Sequence, residues 1–298
     1  MRNSPLYAEL SAMLNSSAHF LPDKPEENVD STLHALWQAA TGNACSTERA
    51  LSLPLQEPDA EQQAALRDLV KRRIEGMPLS HLTGRQQFMG LEMLAGPEAL
   101  VPRAETQLLA RAAIALASAM PGPLTVVDTC TGSGNVALAI AHHVPGARVY
   151  AADLSEDAVG LARRNAAHLG LEGRVEFHAG DLLAPFDTPA FAGKVDLLTC
   201  NPPYISTAKV KQMPGEISGH EPSLAFDGGP FGVSILMRLI ADAPRLLRAG
   251  GWLAFEVGLG QGPALVKRLK NGPAFDDVQS HSDANGDVRS IAARRAAS

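Results

Sequence analysis

The sequence predicts an α/β protein with a Rossmann-like, mostly parallel seven-stranded sheet, an antiparallel C-terminal hairpin and a small N-terminal helical domain. Three observations predict it. From Leu124 onward, short apolar runs alternate with stretches of helical spacing, the pattern of strands joined by crossover helices. A glycine-rich turn, Thr131-Gly132-Ser133-Gly134, stands between the first apolar run and the helix after it. Near the end, Asn285-Gly286 separates two extended runs, a strong hairpin signal.

With 298 residues, 45% hydrophobic and 19% charged, the chain has the make-up of a soluble globular protein with one large domain and a smaller one. A net charge of −6 argues against a nonspecific nucleic-acid binder, so no DNA partner is expected. Cys45, Cys130 and Cys200 lie far apart without a CxxC, so neither a metal site nor a disulfide framework is expected. No signal-peptide core or bilayer-length apolar run stands out. The expectation is a cytoplasmic protein with no membrane partner.

Residues 1–80 read as the helical domain. Leu6, Leu10, Met13 and Leu14 form one stripe, Leu33, Leu36 and Trp37 a second, and Ala65, Leu66, Leu69 and Val70 a third. Pro22, Pro25, Pro54 and Pro58 punctuate them. Arg67, Lys71, Arg72 and Arg73 make one basic stretch, which reads first as a solvated helix face and second as a macromolecular contact. Gly76-Met77-Pro78-Leu79 ends the last helix, and residues 81–103 suit a short linking hairpin. Residues 104–298 form the main domain. Its alanine-rich first helix, 104–119, carries Glu105 near the N-terminus, where the helix dipole favours a carboxylate.

Strands are then expected at 124–128, 147–152, 174–178, 195–200 and 252–257, with helices at 135–143, 155–169, 232–248 and 262–270. The hairpin segments are 275–281 and 287–292. Functional side chains should lie at the carboxyl ends of the parallel strands, where open α/β sheets bind ligands.

Two ligands compete for the first turn. Gly132, Gly134 and Ala137 satisfy a loose dinucleotide fingerprint, and Asp153 after the second strand would accept from ribose hydroxyls in either case. Asp128 separates the readings, because a carboxylate there repels a pyrophosphate but suits an amino group and a sulfonium. Asp181, in Gly180-Asp181-Leu182, can accept from an exocyclic amine such as that of adenine. Taken in order, these residues favour S-adenosylmethionine over a nicotinamide cofactor.

Asn201-Pro202-Pro203-Tyr204 follows the fourth strand. Two prolines fix two φ angles and remove two donors, and Pro202 keeps Asn201 out of the helical region. The result is a stiff corner that can grip a planar NH2 group. The Asn201 side-chain oxygen and the Pro202 carbonyl each accept one N–H, and Tyr204 covers one face. The lone pair of the acceptor nitrogen then faces a methyl donor, and positioning of this kind supplies much of a rate enhancement. A carboxamide and the exocyclic amines of adenine and guanine are both such groups, so the corner gives the nucleophile class and not the substrate.

Residues 76–293 resemble the protein N5-glutamine methyltransferases that modify peptide-chain release factors. The resemblance rests on Pro78-Leu79-Ser80-His81-Leu82-Thr83-Gly84 with Phe88, Val101-Pro102-Arg103 with Glu105-Thr106, Asp128 to Gly134 and Asn201 to Tyr204. It extends through Glu221-Pro222, Asp227-Gly228-Gly229, Glu256-Val257-Gly258 with Gln261, and Asn285-Gly286 with Arg289. It implies a class I S-adenosylmethionine-dependent fold and transfer of a methyl group to a glutamine, as in the Gly-Gly-Gln loop of a release factor. It also implies a cofactor set of Asp128, Thr131, Gly132, Gly134, Asp153, Leu154, Asp181, Leu182 and Asn201. Asn201, Pro202 and Tyr204 would be catalytic, and Pro203, Phe88, Arg103 and Glu105 would approach the acceptor. The helical domain would grip the protein substrate.

Departures keep other acceptors open. Thr129, Cys130, Ala104 and Phe231 stand where the family usually has leucine, glycine, proline and an acidic residue. A small-molecule N- or O-methyltransferase and a ribosomal-protein glutamine methyltransferase are the alternatives. His220-Glu221-Pro222 and Met213-Pro214 lean towards the latter.

Overall fold

The computed structural model describes residues 2–21, 24–210, 212 and 219–297. Pro22, Met213 and Pro214 lie outside the described residues. Backbone contacts divide the chain into two compact units: residues 1–97 with 101–104 and 214–221, and residues 98–100 with 105–213 and 222–298.

The first unit is built on three longer helices whose starts are written locally. Ser4 caps Pro5–Ser17, with Pro5 in the first turn. Asn28 and Ser31 form a capping box for Val29–Ala40, and Asp59 and Gln62 form one for Ala60–Ile74. Leu10, Leu14, Leu33, Leu36, Trp37, Leu66 and Val70 close the core, so the three expected stripes meet. Met13 is 38% exposed and lies off its stripe. Two further helices, Thr47–Ser52 and Leu79–Thr83, are too short to show a period in the sequence. The hairpin of β1 (Arg85–Phe88) and β2 (Leu91–Leu94) also belongs to this unit. There the Glu92 carboxylate accepts from the Ser46 amide and hydroxyl, each at 2.9 Å.

The basic stretch has two parts. Arg67 and Lys71 are exposed and Arg72 is half-buried; they pair with Glu9, Glu75 and Asp68. Arg73 is buried, with Glu27 at 3.2 Å and the His19 carbonyl at 2.9 Å. The first three are a solvated face, and Arg73 is a core ion pair.

The second unit is a seven-stranded sheet: β3 (Leu124–Thr129), β4 (Ala147–Asp153), β5 (Val175–Ala179), β6 (Val195–Cys200), β7 (Leu247–Glu256), β8 (Phe275–Ser282) and β9 (Val288–Arg295). Their order is β5-β4-β3-β6-β7-β9-β8. β3 to β7 are parallel, and β9 runs antiparallel between β7 and β8. The strand order reverses at β3, so the ligand crevice of such a sheet falls at the carboxyl ends of β3 and β6.

Two expectations change in detail. β7 starts at Leu247, upstream of the expected Trp252, and its register with β6 shifts between Val195 and Leu197. Gly251 lets this stretch lie against β6: a Cβ there would sit 2.9 Å from the Val195 carbonyl oxygen. The β8–β9 turn is a longer loop and not a two-residue turn. Asp283 accepts from the amides of Asn285 and Asp287, and only Gly286 takes a left-handed φ, of 87°. A two-residue type I′ turn needs both central residues left-handed.

Candidate active site

The turn after β3 is held by its own backbone geometry. Cys130, Gly132 and Gly134 have φ of 56°, 55° and 82°, so left-handed residues alternate along it. Gly134 starts the helix Asn135–His143, and a Cβ there would meet Ala162, Leu138 and Phe177 at 3.1–3.3 Å. At Gly132 a Cβ would meet nothing nearer than 4.0 Å, so its face is open to a ligand. The Gly132 amide donates to Asp153 Oδ2 at 2.8 Å, and Ser155 donates to the other Asp153 oxygen at 2.9 Å. Each Asp153 oxygen keeps a lone pair for a further donor.

Asp128 is 1% exposed, and its two oxygens accept from the hydroxyls of Thr131 (2.5 Å) and Thr199 (2.6 Å). Burial raises its pKa to about 6 against the opposing pull of those hydroxyls, and Asp153 adds to the rise. Among the described residues no arginine or lysine pairs with it. A buried carboxylate without a cation favours a positive ligand, so the residues present fit S-adenosylmethionine. Both Asp128 oxygens already have protein partners, so its pull on a ligand is through the field rather than by direct contact. Leu154 is exposed beside Asp153. Leu182 is buried with φ 52°, and its carbonyl accepts from Thr129. Asp181 is exposed, with Oδ2 engaged by Arg238 at 2.7 Å.

β3 and β6 are neighbours, with Thr129 opposite Cys200, so the cofactor turn and the Asn-Pro-Pro-Tyr corner emerge side by side. Asn201 is half-buried, and its Nδ2 donates to Thr106 Oγ1 at 3.2 Å, leaving Oδ1 as the acceptor. Pro202 is buried, and Pro203 and Tyr204 are partly buried. The Tyr204 hydroxyl donates to Glu256 Oε1 at 2.9 Å. Burial, then the charge of Glu256, raises the pKa of the phenol, so it stays protonated.

A glycine strap lies on the backbone of this corner. A Cβ at Gly228 would sit 2.6 Å from the Pro203 carbonyl oxygen, and one at Gly232 would sit 2.3 Å from that of Tyr204. Gln261 clamps the strap: its Nε2 donates to the carbonyls of Tyr204 (3.0 Å) and Gly232 (3.1 Å), while its Oε1 accepts from Gly258. Phe231, in the strap, is 84% exposed, and Leu259, beside Gly258, is 66% exposed.

Sequence reasoning named the turn after β3 and the corner after β6, which the structure sets at the ends of neighbouring strands. It did not give functional weight to Thr106, Glu256, Gln261 and Arg289, which support them. The signal was present, since each lies in a segment that carries the family resemblance. Glu105 stands at the start of the helix Thr106–Ala119 but makes no side-chain cap; it faces Arg289 at 3.6 Å. Phe88 and Arg103 belong to the first unit. Phe88 is 1% exposed in β1, and Arg103 forms a buried ion pair with Glu221 at 2.8 Å. Among the described residues there is no cluster of His, Cys, Asp and Glu that could hold a metal, and no helix is long and apolar enough to cross a membrane.

Comparison with known proteins agrees with this geometry. A PrmC N-terminal domain matches residues 12–84, and a Methyltransferase domain matches residues 126–219. The hMettl16 catalytic domain, 15% identical over 69% of this chain and 76% of that one, superposes with a TM-score of 0.54, which supports the fold. The release factor glutamine methyltransferase of Moorella thermoacetica is 40% identical over 85% of this chain and 88% of its own. That of Geobacter sulfurreducens is 32% identical over 99% of both chains. With both matched domains present and relatives aligned over nearly their whole length, this chain belongs to the release factor glutamine methyltransferase family.

Proposed function

We propose that this protein methylates the side-chain amide nitrogen of a glutamine in a peptide-chain release factor, within its Gly-Gly-Gln loop. Bound S-adenosylmethionine supplies an electrophilic methyl group on a positively charged sulfur. Asp128 favours that charge through the field, Gly132 leaves room at the turn, and Asp153 and Asp181 offer acceptors to the ribose and adenine. A carboxamide nitrogen is a poor nucleophile because its lone pair is delocalised. Asn201 Oδ1 and the Pro202 carbonyl therefore hold its two N–H groups so that the lone pair points towards the methyl group. The nitrogen becomes cationic on attack and then sheds a proton, so no base is needed beforehand.

The observation that carries the reading is the orientation of Asn201, whose NH2 is spent on Thr106 and whose oxygen is left to accept. A protein acceptor is further supported by the exposed apolar side chains of Phe231 and Leu259, each next in the chain to a glycine that lies against Tyr204. Phe88, Arg103 and Glu105 are assigned by resemblance to the approach of the substrate. The test is incubation with tritiated S-adenosylmethionine and purified release factor, with the labelled residue located by peptide mass spectrometry. Label on the loop glutamine is expected. Label on a ribosomal protein or a small metabolite instead, with none on release factor, would overturn the substrate assignment.

A further inference from the structure

The two prolines of the corner fix φ at residues 202 and 203 but leave both torsions of Tyr204 open. Tyr204 is nevertheless the side chain that covers the acceptor amide. Its phenol end is held by Glu256 at 2.9 Å. Its backbone end is held by Gln261, a half-buried residue at the start of the helix Gly262–Asn271.

Main-chain bonds join the strap to the chain just after the corner. Ile205 donates to the Phe226 carbonyl at 3.0 Å, Gly228 to that of Ile205 at 2.8 Å, and Thr207 to that of Gly229 at 3.1 Å. This ladder stops short of Tyr204. There the strap lies too close for a Cβ at Gly232, and the carbonyls of Tyr204 and Gly232 converge on one donor, Gln261 Nε2, at 3.0 and 3.1 Å. Among the described residues no other group donates to either oxygen. Gln261 Oε1 accepts from the Gly258 amide at 2.9 Å, and the Gln261 N–H donates to the Gly258 carbonyl at 3.1 Å. A Cβ at Gly258 would lie 3.0 Å from the Tyr204 ring, so this turn backs the ring directly.

Two acceptors and one donor admit a single orientation of the Gln261 amide, and a carboxamide is the side-chain group that offers two N–H donors and an acceptor at one tip. We infer that Gln261 is a positioning residue for methyl transfer. By gathering the Tyr204 and Gly232 carbonyls on its NH2 and the Gly258 amide on its oxygen, it fixes the Tyr204 backbone and so sets the ring over the acceptor amide. The inference rests on the acceptor reading above.

The test separates loss of placement from loss of folding. Gln261→Glu keeps the shape and the acceptor for Gly258 but, ionised, has no proton for the two carbonyls. Gln261→Met removes donor and acceptor without adding charge. In each, kcat should fall about 10- to 100-fold, the scale of a small misplacement around a reacting group. KM for release factor and the affinity for S-adenosylhomocysteine should change little. Tyr7, Tyr150 and Tyr204 are the only tyrosines of the chain, so labelling with meta-fluorotyrosine gives one fluorine resonance for each. That of Tyr204 is assigned by its loss in Tyr204→Phe. In the free protein it should shift or broaden in both Gln261 variants, while those of Tyr7 and Tyr150 stay in place. Unchanged kcat in both variants, a rise in KM alone, or a Tyr204 resonance that stays in place while kcat falls would overturn the inference. Should one variant not fold, the other decides; collapse of all three resonances in both would make Gln261 a residue of the fold alone and overturn the inference too. Failure of the wild type to label release factor would instead overturn the substrate reading, and the fluorine spectrum, which needs no substrate, would still judge the placement of Tyr204.

Discussion

Two buried carboxylates underlie two neighbouring turns, and they differ in one respect. Asp128 sits beneath the turn after β3 and Glu256 beneath the corner after β6; each is 1% exposed, and Asp128 takes hydrogen bonds from the hydroxyls of Thr131 and Thr199 while Glu256 takes one from that of Tyr204. Glu256 has a cation from the protein, Arg289, in its field. Asp128 has Asp153 instead, a second negative charge. The charge of Glu256 is thus opposed by a cation of the protein itself, while the turn after β3 carries an uncompensated charge that the proposed sulfonium and ammonium would relieve. The backbones differ in the same sense. The cofactor turn contains three left-handed residues, and Asn201 to Tyr204 contains none, because two prolines already hold it in an extended path.

The largest expected effect breaks the finished side of this comparison. Asn201→Ala removes a positioned acceptor and leaves the rest of the corner in place. Single-turnover methyl transfer should fall about 10²–10³-fold, the scale seen when one positioned hydrogen-bond partner is removed from an active site. Calorimetry with S-adenosylhomocysteine should show little change; a parallel loss of cofactor affinity would mean that Asn201 serves the cofactor first.

The next effect tests the unfinished side. Asp128→Asn should weaken S-adenosylmethionine binding about 10- to 100-fold at pH 8, the value of hydrogen bonding and charge at a buried group. The pH dependence follows from the raised pKa. A carboxyl whose folded value is about 6 against an ordinary 3.8 stabilises the fold below pH 4 and loses that contribution as pH rises through 6. For a shift of this size the loss is about 3 kcal/mol. The ligand-free wild type should therefore lose stability between pH 4 and 6 in urea unfolding, and Asp128→Asn should lose less. Because a cationic ligand relieves the ionised form, the Tm gain from S-adenosylmethionine should be larger at pH 8 than at pH 5.

How far this contrast could be read from the sequence differs between the two turns. Asp128, Gly132 and Gly134 announce themselves, because glycines that avoid a Cβ collision and an acid that ends a strand are local features. The strands from β3 to β6 were legible for the same reason: each is a short apolar run bounded by turn residues. Glu256, Thr106 and Arg289 were not assigned roles, because their meaning comes from pairing across the sheet. Residues 106, 204, 256 and 289 meet only once the helix Thr106–Ala119 packs and β9 inserts beside β7. That insertion, and the early start of β7 through Gly250-Gly251, depend on which edges pair, and no local pattern encodes them. Arg73 shows the converse limit, since a basic run gave no sign that one member was paired with Glu27 in the core.

A smaller effect sharpens the acceptor side. Phe231 stands on the strap that packs on Tyr204, where the family usually has an acid, and its ring is open to solvent. If it meets the protein substrate, Phe231→Ser should raise KM for release factor about fivefold, as for a peripheral contact worth about 1 kcal/mol. The affinity for S-adenosylhomocysteine should be unchanged. An unaltered KM would place the protein contact elsewhere on the surface.

The smallest effect concerns the strain that distinguishes the two backbones. Cys130 holds a φ of 56° without being glycine, a conformation that costs an L-residue roughly 1–2 kcal/mol. Cys130→Gly removes that cost but loosens the unfolded chain, which offsets about 0.4–1 kcal/mol. It also removes the sulfur that packs beside the buried Cys200 at the end of β6. The strain is the larger of the two backbone contributions, so urea unfolding should show a net stabilisation of under about 1 kcal/mol. A clear destabilisation would mean that the packing of Cys130 against the buried cluster that holds Cys200, at the end of β6, outweighs the strain. The two turns would then be coupled through their packing as well as through their shared strand pair.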